Sequence, residues 1–185
     1  MANLKVLAIC GSLREKSTNY LALKIAEKIV AETGAEVTEI KPKDLQLPIF
    51  DEDIEAVGVP EAVQKIYDQI VASDLVLIAS PEYNHSLPGG LKNLIDWTSR
   101  QTNAWNNKVV AFFGASAGSF GTVRMQPHLR QILACLNAKF VSQPQVHLAF
   151  GQKAFNSDGS FVEAKNLESL KTLIFATVEL ANKYQ

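Results

Sequence analysis

Strand-forming and helix-forming patterns alternate along this chain, which predicts an α/β fold built on a doubly wound parallel sheet. Three observations carry that expectation. Four short aliphatic or β-branched runs, at 4–10, 36–40, 74–80 and 108–114, are bounded by Gly, Pro or polar residues. Between them lie segments whose apolar residues recur every three or four positions, as on one face of a helix. Finally, strand–helix–strand alternation requires crossover connections, and right-handed crossovers place helices on both faces of a parallel sheet.

Each element has its own justification. Leu4-Lys5-Val6-Leu7-Ala8-Ile9-Cys10 reads as a buried first strand that stops at Gly11. Ala22, Ile25, Ala26, Ile29 and Val30 mark the first helix, and Gly34 ends it. Glu36 to Ile40 is a short second strand. Pro42 to Val57 is rich in turn residues, yet Leu45, Leu47, Ile49 and Phe50 make it too apolar for a solvated loop. It is expected to cover the sheet or meet a neighbouring subunit. Pro60 opens a helix reaching Ser73. Asp74 to Ser80 is almost continuously apolar, as a strand covered on both faces should be. Leu91, Leu94, Ile95 and Thr98 mark the next helix, and Lys108 to Gly114 the fourth strand. Leu129, Ile132, Leu133 and Leu136 follow at helical spacing. A fifth strand is expected between Lys139 and Leu148, interrupted by Pro144. Glu163 to Lys183 reads as the last helix, with Leu167, Leu170, Ile174 and Val178 inward.

Bulk properties narrow the possibilities. A length of 185 residues fits one domain, 1–185, with a sizeable core. Eighteen basic against nineteen acidic residues give a net charge of −1, which is no electrostatic footprint for nucleic acid. No apolar run is long enough to span a bilayer, and the chain opens on a strand rather than a signal sequence. Cys10 and Cys135, each within an apolar stretch, read as inert core thiols, which suits a reducing cytoplasm. His85, His128 and His147 lack the spacing of a metal site.

The loop after the first strand, Gly11-Ser12-Leu13-Arg14-Glu15-Lys16-Ser17-Thr18-Asn19, carries hydroxyls, a guanidinium and an amide onto a helix N-terminus. Unpaired N–H groups and the helix dipole attract an anion there, and Arg14 can grip phosphate oxygens bidentately. A dinucleotide fingerprint would need more glycines than Gly11 alone, and a P-loop would need Gly before Lys-Ser. A cysteine phosphatase would need its arginine about where Lys16 stands. The plain alternative is a helix cap with a surface arginine.

Polar loops also follow the third and fourth strands, Pro81 to Gly90 and Ala115 to Gly121. All three therefore lie at the carboxyl edge of the sheet. In the order 2-1-3-4-5 strands one and three are adjacent and the loops surround one crevice, the flavodoxin-like arrangement that takes FMN at its switch point.

The loop 11–19 resembles the G-S-x-R-x-x-S-x-N phosphate loop of the NAD(P)H-dependent FMN reductase family. Pro81-Glu82-Tyr83-Asn84 with Pro88-Gly89-Gly90-Leu91-Lys92-Asn93-Leu94-Ile95-Asp96-Trp97 resembles its second signature, most closely in the bacterial quinone and chromate reductase branch. The resemblance implies a flavodoxin-like domain over 1–185 in which Ser12, Leu13, Arg14, Ser17 and Asn19 hold the FMN phosphate. Pro81, Glu82, Tyr83 and Asn84 would line the ribityl chain and ring, and Ser116 and Gly118 would approach the ring's pyrimidine end. It implies hydride transfer from NADPH or NADH through bound FMN to quinones, free flavins or acceptors such as chromate. The cofactor carries that chemistry, so no catalytic side chain and no metal are assigned. A homodimer or homotetramer is also implied, with 124–130 at the subunit contact. Two departures stand out: Thr122 replaces a second glycine common in relatives, and Pro127 stands where close relatives can have tyrosine. Arg100 and Lys108 are the cations considered for an adenosine 2′-phosphate. The alternative is a flavodoxin-type electron carrier without its own NAD(P)H oxidation; such carriers are usually strongly acidic, and this chain is not.

Overall fold

The structure, a computed structural model, describes residues 3–100 and 102–184. Its strands are β1 (Lys5–Cys10), β2 (Glu36–Ile40), β3 (Leu75–Ala79), β4 (Val109–Ala115) and β5 (His147–Leu148). The helices are α1 (Thr18–Ala31), α2 (Glu52–Val57), α3 (Glu61–Ala72), α4 (Gly89–Thr98), α5 (Met125–Cys135) and α6 (Ala164–Asn182). The strands form one parallel sheet in the order β2-β1-β3-β4-β5, the expected flavodoxin-like arrangement.

Alternation along the strands divides the core in two. Val6, Ala8 and Cys10 of β1 point with Leu75, Leu77 and Ala79 of β3 to the face covered by α1 and α6. Leu7 and Ile9, with Val76 and Ile78, point to the face covered by α3, α4 and α5. Each of these large aliphatic side chains is fully buried, worth roughly 1.5–3 kcal/mol apiece relative to exposure.

The passage after β2 packs as its composition requires. Leu45 is buried, and Phe50 meets Trp97 edge to face with ring centroids 4.9 Å apart. Trp97 Nε1 and Asn93 Nδ2 each donate to the Pro48 carbonyl at 2.8 Å, fixing the passage on α4. Within it α2 forms, capped by Asp51, whose side chain accepts from Asp53 N. That short helix escaped a reading that weighed only the turn residues.

Three expectations need correction. Cys135 is exposed: the inward stripe of α5 runs through Met125, Leu129 and Leu133, and two residues further on the helix faces away. Leu167 is also exposed, because the inward stripe of α6 begins at Leu170, one turn later. The fifth strand shrinks to His147–Leu148, with Lys139 making only an isolated bridge to Val109. Pro144 has no N–H with which to continue a ladder between them.

Candidate active site at the carboxyl edge of the sheet

β1 and β3 are neighbours, but their connections leave in opposite directions, β1 to α1 on one face and β3 to α4 on the other. This is the topological switch point, and the chain crosses it tightly. Gly11 N donates to the Ala79 carbonyl at 2.8 Å. A Cβ on Gly114 would stand 2.0 Å from the Ser80 carbonyl oxygen, so only glycine fits where the ends of β3 and β4 meet.

The β1–α1 loop folds around its own donors. Ser12 is buried, and its Oγ accepts from Arg14 N at 3.4 Å. Ser17 is the N-cap of α1, its hydroxyl accepting from Asn19 N at 3.2 Å. Several N–H groups in that first turn have no partner within the helix. Arg14 is exposed and, among the described residues, makes no ion pair, so its guanidinium is free for a ligand.

Opposite this loop lies a cleft of about 330 Å³. Ser12, Arg14, Ser17 and Asn19 form one wall, and Pro81, Glu82 and Tyr83 another; Ser116 belongs to the third. Eight of the sequence-predicted residues are therefore brought together. Leu13, Asn84 and Gly118 are not on its walls. Leu13 is exposed beside Gly90, and Asn84 occupies a tight turn with His85, both at positive φ (49° and 63°) between the bridged pair Tyr83 and Ser86. The Gly118 carbonyl accepts from Phe150 N at 3.0 Å.

Glu82 points away from a solvated role. Its side chain is only 8 % exposed, and one carboxylate oxygen accepts from both Arg124 N and Met125 N at 2.9 Å. The carboxylate thus sits at the N-terminus of α5, where the helix dipole favours it, with the Arg124 guanidinium 3.8 Å away. Asn19 is equally committed: its carboxamide bonds both backbone groups of Ala115.

Sequence reading missed Gly151 and Gln152, which line the cleft beyond β5. Gly151 N donates to the Ser116 carbonyl at 2.7 Å, and a Cβ on Gly151 would come within 3.0 Å of Thr18 Oγ1. Their signal was positional: they follow a strand at the same edge, as the other site loops do. Thr18, read as a loop donor but not as a named contact, also lines the cleft.

Other polar groups are accounted for elsewhere. Burial pushes the Cys10 thiol up to about 11, partly offset by hydrogen bonds from the Ser12 backbone and Ser17 hydroxyl, so it is no thiolate nucleophile. Burial lowers the pKa of His147, with Arg130 adding to the effect and Glu82 opposing it. Arg100 pairs with Glu52 and Glu55, and Lys108 donates to the Val71 and Ser73 carbonyls at the far edge of the sheet. Lys108 is thus far from the cleft mouth. Lys92 and Asp96 pair across one helical turn at 2.6 Å. Among the described residues no three His, Cys, Asp or Glu side chains gather to hold a metal, and no helix is long and apolar enough to cross a membrane.

Known proteins share this arrangement. Residues 4–153 match the family model described as NADPH-dependent FMN reductase. An NAD(P)H-dependent FMN reductase of Pseudomonas aeruginosa is 41 % identical over 171 residues, covering 91 % of this chain and 90 % of that protein. A quinone reductase of Escherichia coli K12 is 40 % identical over 144 residues, covering 77 % and 76 %. Among solved structures, the flavoenzyme NAD(P)H:(acceptor) oxidoreductase FerB of Paracoccus denitrificans superposes with a TM-score of 0.83 at 34 % identity, covering 97 % and 98 %. The family match spans both the phosphate loop and the walls of the cleft, and the chain belongs to the NADPH-dependent FMN reductase family.

Proposed function

We propose that this chain is one FMN-binding domain over 1–185 that carries reducing equivalents from NADPH or NADH to quinones, free flavins or other small acceptors, chromate among them. The observation that carries the reading is the convergence of a free Arg14 guanidinium and the N-terminus of α1 on a single cleft at the switch point. An anionic phosphomonoester matches that donor set, and a lone cradle matches a mononucleotide rather than a dinucleotide. Gly151 supports the fit, since any side chain there would crowd Thr18 and the Ser116 carbonyl.

Bound FMN supplies the two-electron chemistry between nicotinamide and acceptor. The protein's residues bind and orient. Arg14, with the hydroxyls of Ser12, Ser17 and Thr18, holds the phosphate. Pro81, Glu82 and Tyr83 form the opposite wall, Glu82 fixed by α5 so that the wall keeps its place. In the loop through Ser116 to Gly118, Ser116 N is taken by the Leu148 carbonyl at 3.1 Å, so the N–H groups of Ala117 and Gly118 are the donors that would suit negative charge on the ring. Leu13, Asn84 and Gly118 shape the turns that carry these contacts.

The protein is proposed to act in the cytoplasm as a homodimer or homotetramer. The apolar groove between α4 and α5 is the surface suited to a second copy. The test is the absorbance spectrum of purified protein before and after NADPH under nitrogen, followed by NADPH oxidation with a quinone added. Bleaching of a flavin spectrum and turnover without a partner protein are expected. Colourless protein that takes up no FMN overturns the reading, and a flavin spectrum that NADPH alone does not bleach marks an electron carrier instead.

A further inference from the structure

A side-chain amide replaces a strand where the sheet runs out. Along β4, Gly114 N and Ser116 N turn toward β5, donating to Val146 and Leu148 carbonyls at 3.3 and 3.1 Å. Alternation then turns Ala115 N and O toward β3. But β3 has ended: Ser80 N, donating to the Phe113 carbonyl at 3.0 Å, makes the last bond from that strand to β4 among the described residues. Ala115 is 1 % exposed, so its peptide groups need partners within the protein. Asn19 provides both. Its Nδ2 donates to the Ala115 carbonyl at 2.9 Å, and its Oδ1 accepts from Ala115 N at 2.7 Å. A carboxamide offers one donor and one acceptor in the same plane, as a peptide group does.

The consequence reaches both ends of the cleft. Asn19 stands in the first turn of α1, its own N–H tied to Ser17 Oγ, next to the anion-binding loop. Ala115 leads directly into Ser116, which carries Gly151 on its carbonyl. We propose that Asn19 is a positioning residue: it sets the spacing between the phosphate loop and the loop that approaches the flavin ring, instead of serving chiefly as a phosphate ligand. This inference rests on the flavin reading above and adds a division of labour within it, Arg14 gripping the phosphate and Asn19 fixing the frame.

The test compares FMN with riboflavin, which has the ring and ribityl chain but no phosphate, on Asn19→Ala and Arg14→Ala. A brace acts on the whole cleft, so Asn19→Ala is expected to weaken both ligands by the same factor, about tenfold for the loss of two buried hydrogen bonds. The visible band of the bound flavin should shift toward that of free flavin. Arg14→Ala should weaken FMN alone. In the flavin-free protein, amide exchange at Ala115 should accelerate in Asn19→Ala while β1 and β3 stay protected. Should Asn19→Ala not fold, Asn19→Asp keeps the acceptor and loses the donor; its riboflavin affinity should recover as acid returns a proton to the carboxyl. Weakened FMN with unchanged riboflavin would make Asn19 a phosphate ligand and overturn the proposal. So would unchanged Ala115 exchange, or a lower melting temperature with both affinities intact. If wild-type protein binds neither flavin, the flavin reading fails by itself, and exchange at Ala115 still judges the brace.

Discussion

The cleft above the sheet and the groove between α4 and α5 differ in size, lining and charge. The groove is the larger, about 710 Å³ against about 330 Å³. Leu87, Ile95, Ile132 and Leu136 give it an apolar floor, with the Lys92–Asp96 pair neutralised at its side. The cleft has a guanidinium, hydroxyls and a helix N-terminus instead. Volume alone would place a ligand in the groove. The donors that converge in the cleft suit the anionic cofactor proposed for it, and the lining of the groove suits apolar contact.

The hardest way to break this contrast is to move the strands that frame the cleft. Gly114→Ala would put a methyl 2.0 Å from the Ser80 carbonyl, backbone against backbone, with no flexible side chain to yield. A loss of about 3 kcal/mol or more is expected, read from the urea midpoint, together with loss of flavin binding. A stable Gly114→Ala protein that holds FMN would show that β3 and β4 need not cross so closely.

Arg14→Ala tests the cleft's charge without touching its frame. Arg14 is exposed and unpaired among the described residues, so the flavin-free protein should melt unchanged. The charge-assisted bond proposed for it would be worth about 1.5–3 kcal/mol, so FMN affinity should fall roughly ten- to hundredfold. Isothermal titration reads this directly, and an unaltered affinity would return the loop to the role of a helix cap.

The two thiols also differ in their surroundings. Cys10 lies buried beneath the phosphate loop, whereas Cys135 lines the groove. Burial raises the Cys10 pKa from 9.0 to about 11, so the folded state favours the neutral thiol. The associated stability is fully present below pH 9, where the thiol is neutral even when unfolded, and is lost as pH rises toward 11. Two units correspond to roughly 2–3 kcal/mol. Urea titrations from pH 8 to 11 should show this decline in wild-type protein and less of it in Cys10→Ala. Equal declines would assign the alkaline loss to other groups.

How much of this was legible beforehand follows from where the information lies. Strand order could be read because the apolar runs and helical stripes alternate, and because loops after β1, β3 and β4 hold polar residues that only a shared edge brings together. Ser12, Arg14 and Ser17 were nameable because they gather donors on a helix N-terminus at that edge, whereas Pro81, Glu82, Tyr83 and Ser116, in the other loops of that edge, were named through the family resemblance. What local pattern could not convey is which partner a side chain chooses. Glu82 caps α5, and Asn19 bonds Ala115, 96 positions away. Gly151 joins the cleft through a strand of two residues, too short to leave a periodic signal. Cys135 and Leu167 failed for a related reason: apolar neighbours in sequence do not fix which face of a helix is inward.

The smallest effect expected on the cofactor comes from the groove. Ile132→Asp puts a charge on its apolar floor, where a second copy of the chain would have to bury it unpaired. The cleft is walled by other residues, so FMN affinity should stay within twofold of wild type, roughly 0.4 kcal/mol. The elution volume in size exclusion should shift toward monomer. Cys135 sharpens the result, since in the single chain it is exposed. In an assembly closed over the groove, its reaction with an aromatic disulfide reagent should slow as protein concentration rises, and Ile132→Asp should remove that dependence. Concentration-independent labelling in the wild type would free the groove from any self-association. Loss of FMN in Ile132→Asp would show that the two hollows, so different in lining, act as one site.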